Sequence, residues 1–85
     1  MDIASRLERI ELEIFQVEEE KLELEQRLGL FWEHPPALDP EAVGRAMQFL
    51  RNRIRGLENR KRALLQERQA LIVQAVIHGR GRQGD

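Results

Sequence analysis

Apolar side chains recur every three or four residues from the start of the chain: Ile3, Leu7, Ile10, Ile14, Val17, Leu24, Leu28 and Phe31, with Lys21 the one polar occupant of these nine slots. Alternating steps of four and three mark the heptad repeat of a helix that buries one stripe, here sustained for about four heptads. A strand would need period-two alternation, and the segment has none. Asp2 or Ser5 can cap its start, and Ser5 to Glu8 fits a capping box. Its stop falls between Gly29 and Pro35, because His34 precedes a proline and is biased away from helix. The spacing therefore predicts a first helix over about 3–32.

A second helix is announced by Asp39-Pro40-Glu41. Asp39 suits the N-cap, Pro40 the first helical position, and Glu41 the positive end of the helix dipole. Its seam runs Val43, Met47, Leu50, Ile54, Leu57, Lys61, Leu64, Arg68, Leu71 and Ala75, apolar in eight of ten slots. Gly44 and Gly56 each weaken this helix by about 1 kcal/mol relative to alanine, so packing must hold it. Gly79 after His78 offers a C-cap, which predicts helix over about 40–78 and a flexible polar tail over 79–85.

A loop at 33–39 is short enough to make the two helices antiparallel neighbours. Opposed residues then have numbers adding to about 72: Leu28 with Val43, Leu24 with Met47, Val17 with Ile54, Ile14 with Leu57. Charge agrees. Residues 1–40 carry 11 acidic and 4 basic side chains, and residues 41–85 carry 4 and 10, so halves near −7 and +6 make up a net charge of −1. Folding at the prolines lays Glu18, Glu19, Glu20 and Glu23 beside Arg51, Arg53 and Arg55, and Glu11 and Glu13 beside Arg60, Lys61 and Arg62. Each exposed pair contributes only ~0–1 kcal/mol, so the pairs specify orientation and register more than stability.

Composition narrows the class. At 85 residues, 34% charged, with one Trp and no Tyr, the chain has the make-up of long helices and little room for a closed core with a pocket. No cysteine is present, which excludes disulfides and thiolate metal sites. No apolar run approaches the ~20 residues of a membrane span, and the first residues lack the layout of a secretory signal, so a soluble cytoplasmic protein is expected. The expected fold is all-α: an antiparallel two-helix coiled-coil hairpin over 1–78.

One buried stripe per helix is little against the entropy of ordering some 70 residues. Phe15, Leu22 and Leu12 lie off the first seam, and Ala46, Leu65, Ile72 and Val76 widen the second beyond a narrow stripe. The run Leu71-Ile72-Val73-Gln74-Ala75-Val76-Ile77 also extends past the expected end of the first helix. A homodimer forming a four-helix bundle is the expected cover.

Leu71, Ile72 and Val76, with Phe31 and Trp32 at the hairpin tip, are the candidate partner-binding residues; Phe31 and Trp32 can equally close the end of the bundle. Arg51, Arg53, Arg55, Arg60 and Arg62 are candidates for phosphate contact, with Gly79-Arg80-Gly81-Arg82 able to add to them. Against that stand the acidic helix, which competes for the same arginines, and the absence of interleaved aromatics. Lys21, Lys61 and Arg68, at seam positions, either form a buried cationic pocket or reach from the seam edge to a neighbouring glutamate. His34 and His78 sit at opposite ends of the hairpin, and no His/Asp/Glu spacing resembles a metal site. No cofactor is expected.

Two resemblances bear on function. With Glu33, Asp39 and Glu41 near its tip, the hairpin looks like the bacterial transcript-cleavage factors that reach into RNA polymerase, whose globular domain has no counterpart in these 85 residues. Leu38-Asp39-Pro40-Glu41-Ala42-Val43 looks like the start of the last helix in small all-helical chorismate mutases, intertwined dimers whose Arg and Lys line a dianion pocket. Lys21 is the one matching cation, the middle helix has no room, and the first arm is acidic where that family needs inward cations. There is no Ser/His/Asp set, no Gly-rich phosphate loop and no cysteine nucleophile. The residues themselves point to a non-catalytic coiled-coil interaction or assembly module that binds itself and another protein. A small nucleic-acid-associated regulator using the second helix is the alternative, and a helical-dimer enzyme the third.

Overall fold

The computed structural model describes residues 2–34, 37 and 39–83, with side chains as far as 78. Two helices make up the fold: α1 over Ile3–Glu33 and α2 over Pro40–Gln83. They lie alongside each other as a hairpin with principal extents of 70 × 20 × 15 Å. Two helix diameters of ~10–12 Å account for the width, so the molecule is one helix thick.

The predicted starts hold. Asp2 caps α1, its carboxylate accepting from the Ser5 N–H at 2.6 Å, and that bond holds the Asp2 carboxyl below its ordinary pKa. Asp2 rather than Ser5 takes the role because its extended backbone leaves the carboxylate facing the first-turn N–H groups. α2 opens at Pro40, with the Val43 N–H donating to the Asp39 carbonyl at 3.0 Å. α1 closes at His34, whose N–H donates to the Leu30 carbonyl at 2.8 Å. Pro35, Pro36 and Leu38, where the turn was expected, lie outside the described residues. At the other end α2 does not stop at Gly79: its backbone stays helical to Gln83. Glycine permits a left-handed C-cap without requiring one, and no described glycine has positive φ.

The core is a single line of six buried side chains in two clusters. Ile10, Leu64 and Leu71 form one, with Ile3, Leu7, Ile14 and Val17 packed against it. Leu24, Leu50 and Ile54 form the other, with Leu28, Phe31 and Leu57 around it. All of these belong to the two predicted seams. The register differs: Leu24 is buried with Leu50 and Ile54 rather than Met47, and Leu57 joins the tip cluster while Ile14 and Val17 join the distal one. α2 is thus displaced by about one turn from the expected pairing.

Leu64 is the most enclosed side chain, at 1% exposure. Leu64→Ala is expected to lower the free energy of unfolding by about 2–5 kcal/mol, measured by urea denaturation followed by circular dichroism. A loss under ~0.5 kcal/mol would mean that the distal cluster does not hold the helices together.

Candidate interaction surface

Five ion pairs cross between the helices, along both flanks of the core. On one flank Arg53 meets Glu20 at 2.9 Å, Arg60 meets Glu13 at 2.6 Å and Arg6 meets Glu67 at 3.1 Å. On the other, Lys61 pairs with Glu18, and Arg68 meets Glu11 at 3.5 Å. The acidic first helix therefore does face the basic second. Glu20 with Arg53 and Glu13 with Arg60 are the expected neighbours, whereas Glu18 and Glu11, on the opposite flank, reach the seam cations Lys61 and Arg68. The pairing with Lys61 acts on the protonation of Glu18. The Lys61 ammonium hydrogen-bonds to it and attracts it, Lys21 adds to that attraction, and together they outweigh desolvation and hold its pKa below the ordinary glutamate value.

This placement decides much about the predicted phosphate contacts. Arg53 and Arg60 are engaged by acids, and Arg62 donates to Asn59 Oδ1 at 3.4 Å. Arg51 lies 5.9 Å from the ring centre of Trp32, a cation–π contact across the tip. Arg55 lines the adjacent cleft with Glu25, Leu28, Trp32, Arg51 and Glu58, a groove of about 500 Å³. The five arginines do not converge on a shared anion site; they are spread over both flanks and mixed with acids.

The predicted partner-binding residues separate into two kinds. Leu71 is buried inside the hairpin, 5% exposed, in the cluster that also holds Ile10 and Leu64. Its expected role as partner surface is corrected to that of intramolecular core. Phe31 likewise packs on the tip cluster. Trp32, Ile72 and Val76 are exposed, at 66%, 41% and 51%. Since Ile3, the first residue of α1, packs against the cluster holding Leu71, α2 continues past α1 from Ile72 onward. That overhang is about 18 Å long for twelve residues at ~1.5 Å each. It presents Ile72, Val73, Val76 and Ile77 to solvent. Phe49 is equally exposed at 66%, and the seam-based reading of the sequence does not single it out. Its signal is spacing to other uncharged residues on the outer side of α2, not to the inner stripe.

Among the described residues, no group of three or more His, Cys, Asp or Glu side chains could hold a metal ion. Nor is any helix long and apolar enough to cross a membrane.

Because the Glu18 pKa is depressed in the folded state, its contribution to stability is present above the ordinary glutamate pKa and is lost as pH falls through the folded value. Thermal melts should show Glu18→Gln less stable than the parent at neutral pH, with the gap closing below the ordinary glutamate range. A gap that persists unchanged in acid would show that the Lys61 pairing is not its source.

Comparison with known proteins supplies no template for this surface: no protein-family model, no curated protein and no solved structure matches the chain.

Proposed function

We propose that the hairpin is a non-catalytic coiled-coil module for protein interaction and assembly, which associates with a second copy of itself into a four-helix arrangement and with a further protein. One observation carries this reading: ten large hydrophobic side chains among the described residues are exposed, with Trp32, Phe49, Ile77 and Phe15 more than 60% so. A monomer of this size ordinarily leaves such residues scattered. Here four of them, Ile72, Val73, Val76 and Ile77, lie together on the α2 overhang, and Trp32 marks the opposite end. A thin rod with apolar groups at both ends suits a spacer or clamp between partners better than a substrate pocket.

Nucleic-acid binding by α2 is less well supported, since four of its cations are already paired with α1 acids. Releasing them would cost those pairs and expose the acidic helix to the same phosphates.

Photo-crosslinking amino acids placed at Trp32, Ile72 or Val76, in cells of the native host, are expected to give covalent protein adducts. The same probe at Gln16, a polar exposed position of α1, should give few. Adducts to nucleic acid alone, or no difference between Gln16 and the apolar positions, would defeat the interaction-module reading.

A further inference from the structure

The outer side of α2, turned away from α1, carries a second heptad pattern. Phe49, Gly56, Ala63, Ala70 and Ile77 recur every seven residues, and Asn52, Asn59, Gln66 and Val73 fall between them at steps of three and four. All nine are exposed in the hairpin. None is charged, over eight turns, in a chain whose residues are 34% charged. A solvent-facing line of a helix is where charge is ordinarily densest. This line instead has bulky apolar residues at its ends, small residues in its middle, and amides alongside.

Gly56 adds an independent reason to look outward. It lies within the helix with no positive φ, and a Cβ built on it would meet nothing within 4 Å. The hairpin thus has no steric use for glycine at a position where glycine disfavours helix. Gly29 and Gly44 are open in the same way; what sets Gly56 apart is its place on the outer line, where a missing side chain permits close approach from outside. A groove of about 430 Å³ opens at that point, lined by Phe49, Asn52, Arg53, Gly56 and Leu57.

We propose that this face is a second helix-packing seam whose occupant is α2 of a second copy of the chain, antiparallel, on a two-fold axis at Ala63. The proposal rests on the assembly reading above and specifies the surface that performs it. The pattern is self-complementary, as a two-fold interface requires. With Ala63 on its own copy, Gly56 meets Ala70 and Phe49 meets Ile77, while Asn59 lies beside Gln66 and Asn52 beside Val73 one residue off the same level, each pairing occurring twice. Small residues at the centre let the backbones approach to about 8 Å between axes. Asn59 and Gln66 can exchange side-chain hydrogen bonds, which fixes register. Phe49 and Ile77, 66% and 63% exposed in one hairpin, cover each other.

Charge selects this occupant over others. The nine residues of the line carry no cation of their own, so the acidic outer side of α1, with Glu8, Glu19 and Glu23, gains little by lying on it and loses solvation. On one flank the nearest charges, Arg53, Arg60 and Glu67, are already paired with Glu20, Glu13 and Arg6. On the other flank Arg55 and Arg62 are exposed, and Arg62 donates to Asn59 Oδ1 at 3.4 Å. Nine seam residues a side fall short of the 20–30 of a standard protein–protein interface.

The chain has no cysteine, so single cysteines report the interface cleanly. On mild oxidation Ala63→Cys is expected to form a disulfide-linked dimer, since axes at ~8 Å bring the two Cα atoms within disulfide reach. Phe49→Cys alone should stay unlinked, its two copies lying roughly 40 Å apart, whereas an equal mixture of Phe49→Cys and Ile77→Cys should link. Sedimentation equilibrium should show a dimer that persists from low to high salt. Ala63→Glu should weaken it on the order of 100-fold, through two carboxylates meeting at the axis, with helicity retained. The proposal is overturned if Ala63→Cys does not link, if Phe49→Cys links with itself as readily, or if the dimer dissociates as salt is raised. A parent dimer unaffected by Ala63→Glu would overturn this interface and leave the assembly reading standing. A monomeric parent that still gives protein adducts at Trp32, Ile72 or Val76 would overturn self-association alone.

Discussion

Everything in this hairpin depends on two helices meeting along one line of aliphatic side chains. Among the described residues six side chains are buried, and no third element backs them. A line contact of that kind fixes position poorly along its own axis, because aliphatic side chains one turn apart are near-equivalent. The flanking ion pairs remove that freedom. Sliding α2 by a turn would break the Arg53–Glu20, Arg60–Glu13 and Arg6–Glu67 contacts together, since all three have the same offset. Exposed pairs contribute little to stability one at a time, yet a row with one common offset selects a register sharply.

The seam cations follow the same logic. Lys61 and Arg68 interrupt an otherwise apolar stripe, and each leaves it to meet a glutamate on α1, Glu18 and Glu11. They are half-buried stems with charged ends at the edge of the core, not a cationic pocket. Both cations are thus engaged by carboxylates within the hairpin. That engagement ties the depressed pKa of Glu18 to the packing of the helices rather than to chemistry on a substrate.

Local signals made much of this legible in the sequence. Asp2, Asp39 and Pro40 mark the helix starts through caps that depend only on near neighbours. Period alone identified the residues that enter the core, Leu24, Leu50 and Leu64 among them. What period cannot supply is the offset between two stripes, which the connection sets, so Leu24 was matched with Met47 instead of Leu50. Leu71 was read as outward because it begins the apolar run at the end of α2; the one-turn shift draws it under Ile3 and leaves Ile72 as the first uncovered residue. Gly79 carried a stop signal that depends on a backbone conformation glycine allows but does not impose. Phe49 belongs to no inner stripe: it stands on a second line of α2 that mixes small residues with amides, where apolar period is weak.

Two exposed regions that look unrelated in a single hairpin become one problem when α2 is considered as a helix with two sides. The overhang past α1 leaves Val73 and Ile77 uncovered at one end, and Phe49 stands uncovered near the other. An antiparallel copy of α2 brings these ends together, so each overhang gains lateral support from the opposite end of its partner. The inner side, with large aliphatics and paired cations, holds the hairpin; in the proposed dimer the outer side, with small residues and amides, would hold the pair. That dimer would set four helices side by side with both acidic α1 helices outermost, a flat layer rather than a square bundle. In that layer Ile72, Val76 and Trp32 stay off the shared seam, and it is there that a different protein would have apolar surface to grip.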